Sequence, residues 1–327
     1  MDKENIPWIE KYRPYNIKDI MLDKIVELEI NNIIKTKEIP NLIFTGTPGT
    51  GKTTTLLCLI HKLYGPYIKD AVLELNASDD RGIQSINTNV INFCNYVLPY
   101  KNEDVPYAQH KLVIFDEADN MTDKALPIIS MLMDKYYKTT RFVFTCNTSF
   151  KIIESIQSRC KILRFKRLSK EQIINKLKDI CINEEVKYKK DGLENIAVMS
   201  NGDMRLAINM LQLTRDKYDK INLSNVISAC DKPSPILIKE IIMDCINNNL
   251  VNAIIKTYDL KQKGFSGVDI INNSFNILKL NICEDIKDDI KIKLLYVISA
   301  YMADISKTLD TDIQLTSFLI DISNLFI

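Results

Sequence analysis

Residues Gly46-Thr47-Pro48-Gly49-Thr50-Gly51-Lys52-Thr53 spell G-x-x-x-x-G-K-T, the phosphate-binding loop. The flanks are those the motif requires: the apolar run Leu42-Ile43-Phe44 reads as a strand before it, and Thr54-Thr55-Leu56-Leu57-Cys58-Leu59-Ile60 as a helix after it. Glycines let the backbone curl until successive N–H groups point at phosphate oxygens, and the helix N-terminus adds partial positive charge. Lys52 is then placed to reach the β- and γ-phosphates, and the Thr53 hydroxyl to ligate Mg²⁺. The competing reading is a glycine-rich turn that happens to contain Lys-Thr; strand before and helix after weigh against it. The loop implies a bound nucleoside triphosphate.

Working outward, Ala71 to Asn76 reads as a second strand, followed by a helical region through Phe93 and an irregular loop from Pro99 to Gln109. Lys111-Leu112-Val113-Ile114-Phe115-Asp116-Glu117 is a near-continuous apolar strand ending in two acids. Arg141 to Asn147 and Lys161 to Phe165 complete the set. Short apolar strands alternating with helices predict an α/β fold, a doubly wound parallel sheet covered on both faces. In such sheets ligands sit beyond the carboxyl ends of the strands, where Asp116, Glu117 and Asn147 all fall. Upstream, Pro7 and Pro14 bracket a segment expected to be extended, and Ile25, Leu28, Ile33 and Ile34 give the next helix its apolar face. From about Leu168 the pattern is helices only. Ser169-x-x-Gln172 is a capping box, and Asp191-Gly192, Asn201-Gly202-Asp203 and Pro233-Ser234-Pro235 act as punctuation. The domain boundaries expected are 1–165, 166–229 and 230–327.

At 327 residues the chain has room for two or three domains. The net charge of +1 excludes a global polycation, so any nucleic-acid contact must come from a local patch or from partner subunits. The eight cysteines include no C-x-x-C pair, which argues against a zinc module or disulfide framework and for buried thiols in a reducing compartment. The polar N-terminus lacks a signal h-region, and no stretch approaches the ~20 apolar residues that span a bilayer, so a soluble intracellular protein is expected.

Asp116-Glu117 supplies the second half of an ATPase: one carboxylate to hold Mg²⁺, its neighbour to polarise the attacking water. Two acids solvating a strand end is the bland alternative, outweighed by the phosphate loop.

Together with that loop, Asp116-Glu117-Ala118-Asp119 resembles the AAA+ ATPases. Pro7-Trp8-Ile9-Glu10-Lys11-Tyr12-Arg13-Pro14, the run from Leu75 to Ile83, Ser158-Arg159-Cys160 and Gly202-Asp203-Met204-Arg205 resemble, more narrowly, the small subunits of replication factor C, the clamp loader. The likeness is dense from residue 7 to about 215 and thins beyond. The lid of one such small subunit reads G-D-M-R-x-A-I-N, as Gly202 to Asn209 do here. The resemblance implies a parallel-sheet AAA+ domain followed by a helical lid and a helical collar, with ATP and Mg²⁺ as ligands. It implies that Asn147 orients the attacking water, that Arg205 touches the nucleotide from the lid, and that Ile9, Arg13 and Met21 line the adenine and ribose pocket beside Gly46 to Thr54. Arg159 would enter the neighbouring subunit's site, an arginine finger worth about 10³–10⁵ in rate.

The implied partners are other replication factor C subunits in a hetero-pentamer, a sliding clamp and primer–template DNA, in the nucleus and without membrane. One departure concerns DNA: the family's helix after Asp-Glu-Ala-Asp carries paired arginines, whereas this chain has Ala125 to Met133 without them and with Pro127, expected to kink or delay the helix. Arg81 and Lys151 are the remaining phosphate contacts considered. The alternatives are a homo-oligomeric AAA+ remodeller or helicase loader, which should show pore-loop aromatics, and a degenerate subunit that holds ATP passively, which intact Lys52, Thr53, Asp116, Glu117 and Asn147 oppose.

Overall fold

The computed structural model describes residues 6–76, 83–99, 106–230, 233, 235–279, 286–305 and 312–326. Met1–Val186 with Leu193–Gln212 form one compact unit, and Lys187–Gly192 with Leu213–Ile327 form a second.

In the first unit the chain runs through α1 (Trp8–Lys11), α2 (Lys24–Thr36), β1 (Leu42–Gly46), α3 (Lys52–Tyr64), α4 (Ile68–Ala71), β2 (Val72–Asn76) and α5 (Ile83–Asn95). It continues through β3 (Lys111–Asp116), α6 (Ala125–Lys135), β4 (Thr140–Cys146), α7 (Glu154–Gln157), β5 (Lys161–Phe165) and α8 (Lys170–Asn183). The five strands form one parallel sheet in the order β2-β3-β4-β1-β5. Strand alternation sends Leu42 and Phe44 into a core with Ile30, Leu59 and Leu163, and Ile43 into another with Val113, Phe142, Leu126 and Ile129. Both faces are therefore apolar and covered, which is why the strands read as continuous hydrophobic runs. Since β4 lies between β3 and β1, the carboxyl ends of these three strands bring Asp116, Asn147 and Gly46 side by side.

Four local expectations are corrected. The segment between Pro7 and Pro14 is not extended: Pro7 caps α1, and its carbonyl accepts from the N–H groups of Glu10 and Lys11 at 2.9 and 3.0 Å. A proline costs nothing at a helix start, where its missing donor would be unpaired. In α2 the buried face is Val26, Ile30 and Ile33, while Ile25 and Leu28 are 68% and 71% exposed. Two apolar arcs share that helix, and the one spaced four and three residues apart faces the sheet. Pro127 is the third residue of α6, inside the first turn, where N–H groups have no intrahelical acceptor, so no ladder bond is lost and no kink is called for. Lastly, the region beyond Leu168 is not helices only.

That region holds α9 (Lys190–Met199) and α10 (Met204–Lys217), which both units share, and, in the second unit, the short strands β6 (Lys187–Tyr188) and β7 (Lys220–Ile221), paired in parallel. Asp191-Gly192 begins α9 rather than ending an element. A Cβ on Gly192 would stand 3.0 Å from the Asn222 backbone, so glycine serves close approach there. The Ser169–Gln172 capping box is present, with Gln172 N–H donating to Ser169 Oγ at 3.2 Å and Ser169 N–H to Gln172 Oε1 at 2.9 Å.

The second unit continues through α11 (Leu223–Ala229), α12 (Pro235–Ile246), α13 (Leu250–Gln262), α14 (Gly267–Lys279), α15 (Asp288–Ile305) and α16 (Asp312–Asn324). Helices α12 to α16 close around Ile238, Ile242, Leu260, Leu294, Phe318 and Ile322, all buried. Among the described residues every cysteine is a free thiol, and no helix is long and apolar enough to cross a membrane.

Candidate active site

A cavity of about 270 Å³ opens in the first unit at the carboxyl ends of the strands. Pro48, Gly49, Thr50, Gly51, Lys52, Thr53 and Thr54 line it from the loop, Asp116, Glu117 and Asn147 from the strands, and Ile9, Arg13 and Met21 from the N-terminal segment. Arg205 reaches it from α10. Gly46 and Thr47 stand behind the wall and act through their carbonyls.

The loop is built around Lys52. Its ammonium donates to Gly46 O at 2.6 Å, Thr47 O at 3.0 Å and Asn147 Oδ1 at 3.3 Å. Burial pushes its pKa below the ordinary lysine value, opposed by Cys146, Asp119 and Asp116, with Arg205 adding to the depression. An anionic ligand would reverse that balance. Gly51 caps α3 at φ 92°, leaving the helix's first N–H groups turned toward the loop.

Gly49 is where the loop meets the lid. Its φ of 68° is left-handed, and its carbonyl accepts from Met204 N–H at 3.2 Å. A Cβ there would lie 1.7 Å from Asp203 Oδ1. That same oxygen caps α10 by accepting from Leu206 N–H at 3.0 Å. Glycine thus lets the lid helix start directly on the phosphate loop, which carries Arg205 to the cavity.

The acidic corner is tied to β4. The Thr145 hydroxyl donates to Asp116 Oδ1, and Glu117 N–H lies 3.2 Å from both Asp116 Oδ1 and Thr145 Oγ1. Glu117 itself is left-handed at φ 53°, and its Oε2 accepts from Asn120 Nδ2 at 3.2 Å. Asp119 Oδ2 accepts from Asn147 N–H at 3.3 Å, while its Oδ1 is buried with no partner among the described residues. Thr145, Asp119 and Asp203 are parts of the site to which the sequence reading gave no role. Asp119 and Asp203 lie inside quoted motifs; Thr145 had only its place two residues before Asn147 as a signal.

Arg159 lies outside the cavity. It pairs with Asp134 on the protein surface, Nε to Oδ1 at 2.7 Å and Nη2 to Oδ2 at 2.9 Å. Arg81 lies outside the described residues.

A parallel sheet whose strand ends converge on a G-x-x-x-x-G-K-T loop, a strand-terminal Asp-Glu and an arginine-bearing lid defines an AAA+ nucleotide-binding ATPase. The profile of the ATPase family associated with various cellular activities (AAA) matches residues 42–168, an RCF1/5-like AAA+ ATPase lid domain residues 175–214, and the replication factor C C-terminal domain residues 233–321. The chain is 40% identical over 321 residues to replication factor C subunit 4 of Saccharomyces cerevisiae, covering 98% of this chain and 96% of that protein. It is 39% identical to a putative replication factor C small subunit of Acanthamoeba polyphaga mimivirus, covering 96% of each. A replication factor C small subunit of Sulfurisphaera tokodaii is 40% identical, covering 97% of this chain and 95% of that protein. In structure it resembles the Thermotoga maritima RuvB Holliday junction branch migration motor, with a TM-score of 0.53 at 15% identity, over 70% of this chain and 79% of that one. That last likeness is one of fold alone. The chain belongs to the replication factor C family, the clamp-loader ATPases of DNA replication, and is itself an ATP-hydrolysing AAA+ subunit.

Proposed function

We propose that this subunit works in a nuclear hetero-pentamer of replication factor C subunits that opens a sliding clamp and loads it on primer–template DNA. Its parts are a nucleotide domain at 1–165, a lid at 166–229 and a collar at 230–327. One observation carries the reading: Lys52, Asp116, Glu117, Asn147 and Arg205 share a cavity while Arg159, in its Ser-Arg-Cys context, lies on the surface away from it. That is the layout of a site that lends its finger to a neighbour and borrows one in return.

Within the site, Lys52 exchanges its carbonyl partners for β- and γ-phosphate oxygens, and Arg205 steadies the triphosphate from the lid. Glu117 accepts a proton from the attacking water, which Asn147 orients. Ile9, Arg13 and Met21 enclose the base and ribose. The donor set fits Mg²⁺: Thr53 and Asp116 both line the cavity, and Asp116 Oδ1 takes the Thr145 bond, leaving Oδ2. Among the described residues no cluster of three or more His, Cys, Asp or Glu could hold a metal alone, which suits an ion that keeps its waters and leans on substrate phosphates. When bound, Mg²⁺ would neutralise charge on the transferred phosphoryl group. ATP binding favours the arrangement that grips the clamp, and hydrolysis releases it. The outward face of α6 presents Pro127 and Met131 in place of arginines, so DNA contact through this helix is absent from the proposal, and Lys151 is its candidate phosphate contact.

Steady-state ATP hydrolysis tests the reading, measured for the chain alone and for the chain with its sister subunits, clamp and primed DNA. Weak activity alone, strong stimulation in the mixture and loss on Arg159→Ala are expected. Full activity alone, indifferent to clamp and primer, would overturn it in favour of a homo-oligomeric remodeller.

A further inference from the structure

The guanidinium of Arg159 is held by three of its N–H groups. Asp134, in the last turn of α6, takes the Nε–Nη2 edge in two parallel bonds of 2.7 and 2.9 Å. The carbonyl of Ser155, on α7, accepts from Nη1 at 2.7 Å. Beneath the side chain the backbone is also pinned. Arg159 N–H donates to Ile156 O at 3.0 Å, and its carbonyl accepts from Asn41 Nδ2 at 3.4 Å.

Such a carboxylate has little reason to be there for stability. Asp134 is 59% exposed and Arg159 37%, and ion pairs at that exposure contribute almost nothing to folding. Orientation is what the geometry supplies. Of the five guanidinium N–H donors, three are engaged, leaving one on each terminal nitrogen. Two N–H groups in one fixed plane match two phosphate oxygens, the recognition for which arginine is suited and lysine is not. Without the carboxylate, a long side chain on an open surface would spread over several rotamers and meet the incoming phosphate in few of them.

We infer that Asp134 is a positioning residue for the reaction of the adjacent subunit, fixing the Arg159 guanidinium so that its two free N–H groups face that subunit's nucleotide. The inference rests on the trans reading of Arg159 above. It also makes α6 a shared element: the chain leaves Glu117 and Asp119 in the subunit's own site, enters this helix, and carries in its last turn the residue that steers the finger.

The test uses the assembled complex with clamp and primed DNA, comparing Asp134→Ala, Asp134→Asn, Arg159→Ala and the double variant Asp134→Ala/Arg159→Ala. Asp134→Ala should lower kcat about tenfold or more with the KM for ATP unchanged, as expected of a misplaced rather than missing group. Asp134→Asn, which keeps an acceptor for Nε, should fall between it and the unaltered protein. In the Arg159→Ala background Asp134→Ala should have no further effect. Binding of a fluorescent ATP analogue by the isolated chain, and its melting temperature, should not move. If Arg159→Ala lowers the rate while Asp134→Ala leaves it unchanged or raises it, the positioning role is overturned, the rise meaning that Asp134 masks the finger. An equal loss from Asp134→Ala in both backgrounds would also overturn it by showing a structural role. An unchanged rate in Arg159→Ala would instead overturn the trans reading itself.

Discussion

Gly49→Ala should destabilise the first unit in a way that depends on residue 203. Two costs add at this position. An L-residue at φ 68° pays roughly 1–2 kcal/mol for the left-handed backbone. The new methyl would also stand 1.7 Å from Asp203 Oδ1, so that carboxylate must swing away and give up the Leu206 N–H, a lost N-cap worth about 0.5–2 kcal/mol. Together these come to roughly 1.5–4 kcal/mol. For a unit of this size that lowers the melting temperature by roughly 3–16 °C. Asp203→Ala alone removes only the cap and should cost about 0.5–2 kcal/mol. In the Asp203→Ala background the cap is already gone and no carboxylate is in the way. Gly49→Ala should then cost only the backbone part, about 1–2 kcal/mol. Thermal and urea unfolding of the four proteins, followed by circular dichroism, measures the coupling. Equal cost of Gly49→Ala in both backgrounds would refute the claim that the lid helix starts on the phosphate loop through this contact.

Glu117→Gln should lower hydrolysis in the assembled complex by about 10²–10⁴ while leaving ATP binding in place, since only the proton acceptor is removed; filter binding of labelled ATP beside the turnover assay separates the two. Thr145→Val keeps the volume but removes the hydroxyl that donates to Asp116 Oδ1, a hydrogen bond to a charged group worth about 1.5–3 kcal/mol, so hydrolysis should drop roughly ten- to a hundredfold; unchanged kcat would remove Thr145 from the machinery. The pH dependence of ATP affinity follows from Lys52. Burial lowers its folded pKa, so it loses its charge at a lower pH than an ordinary lysine, and only the charged form attracts phosphate. Affinity should therefore be full near neutrality and weaken as pH rises toward the ordinary lysine value, a trend that Lys52→Arg flattens; fluorescence titration from pH 7 to 10 reads it.

Much of this architecture was legible because its signals are contiguous. The phosphate loop, the strand ending in Asp116-Glu117 and the Ser169–Gln172 cap each lie in a few consecutive residues whose spacing is itself the physics. Where the sequence misled, two local solutions competed and tertiary packing chose. Helix α2 carries two apolar arcs, and nothing local says that Val26, Ile30 and Ile33 meet the sheet while Ile25 and Leu28 do not. The prolines around Trp8–Lys11 permit an extended segment or a helical turn equally well. What was invisible is through-space pairing. Asp134 with Arg159, Asp203 with Gly49 and Thr145 with Asp116 join residues distant in sequence; at least one member of each pair sits in a motif, but nothing local marks which residue it meets, and Asp134 and Thr145 alone read as an ordinary surface and an ordinary strand residue.

Strand β4 explains why the polar groups of the site act together. Thr145 holds Asp116 and the Glu117 N–H. Asn147, two residues on, takes a bond from Lys52 and gives its N–H to Asp119. Thr145 lies in the last pleat of the strand and Asn147 one residue past the strand's end, so both the acid corner and the phosphate lysine are registered by the same short stretch of backbone. That stretch is locked between β3 and β1 by parallel pairing, with Phe44 opposite Thr145 and Phe115 opposite Phe144. A shift of β4 by one residue would turn Thr145 away from Asp116 and carry Phe142 and Phe144 from one covered face of the sheet to the other, where their volume has no matching space. The packed core, more than any single polar bond, therefore keeps the groups for binding and for hydrolysis in one fixed relation. Adjustment is left to the parts that meet the cavity from outside the sheet: the loop, the lid helix behind Gly49 and, on the proposed trans reading, an arginine from another chain.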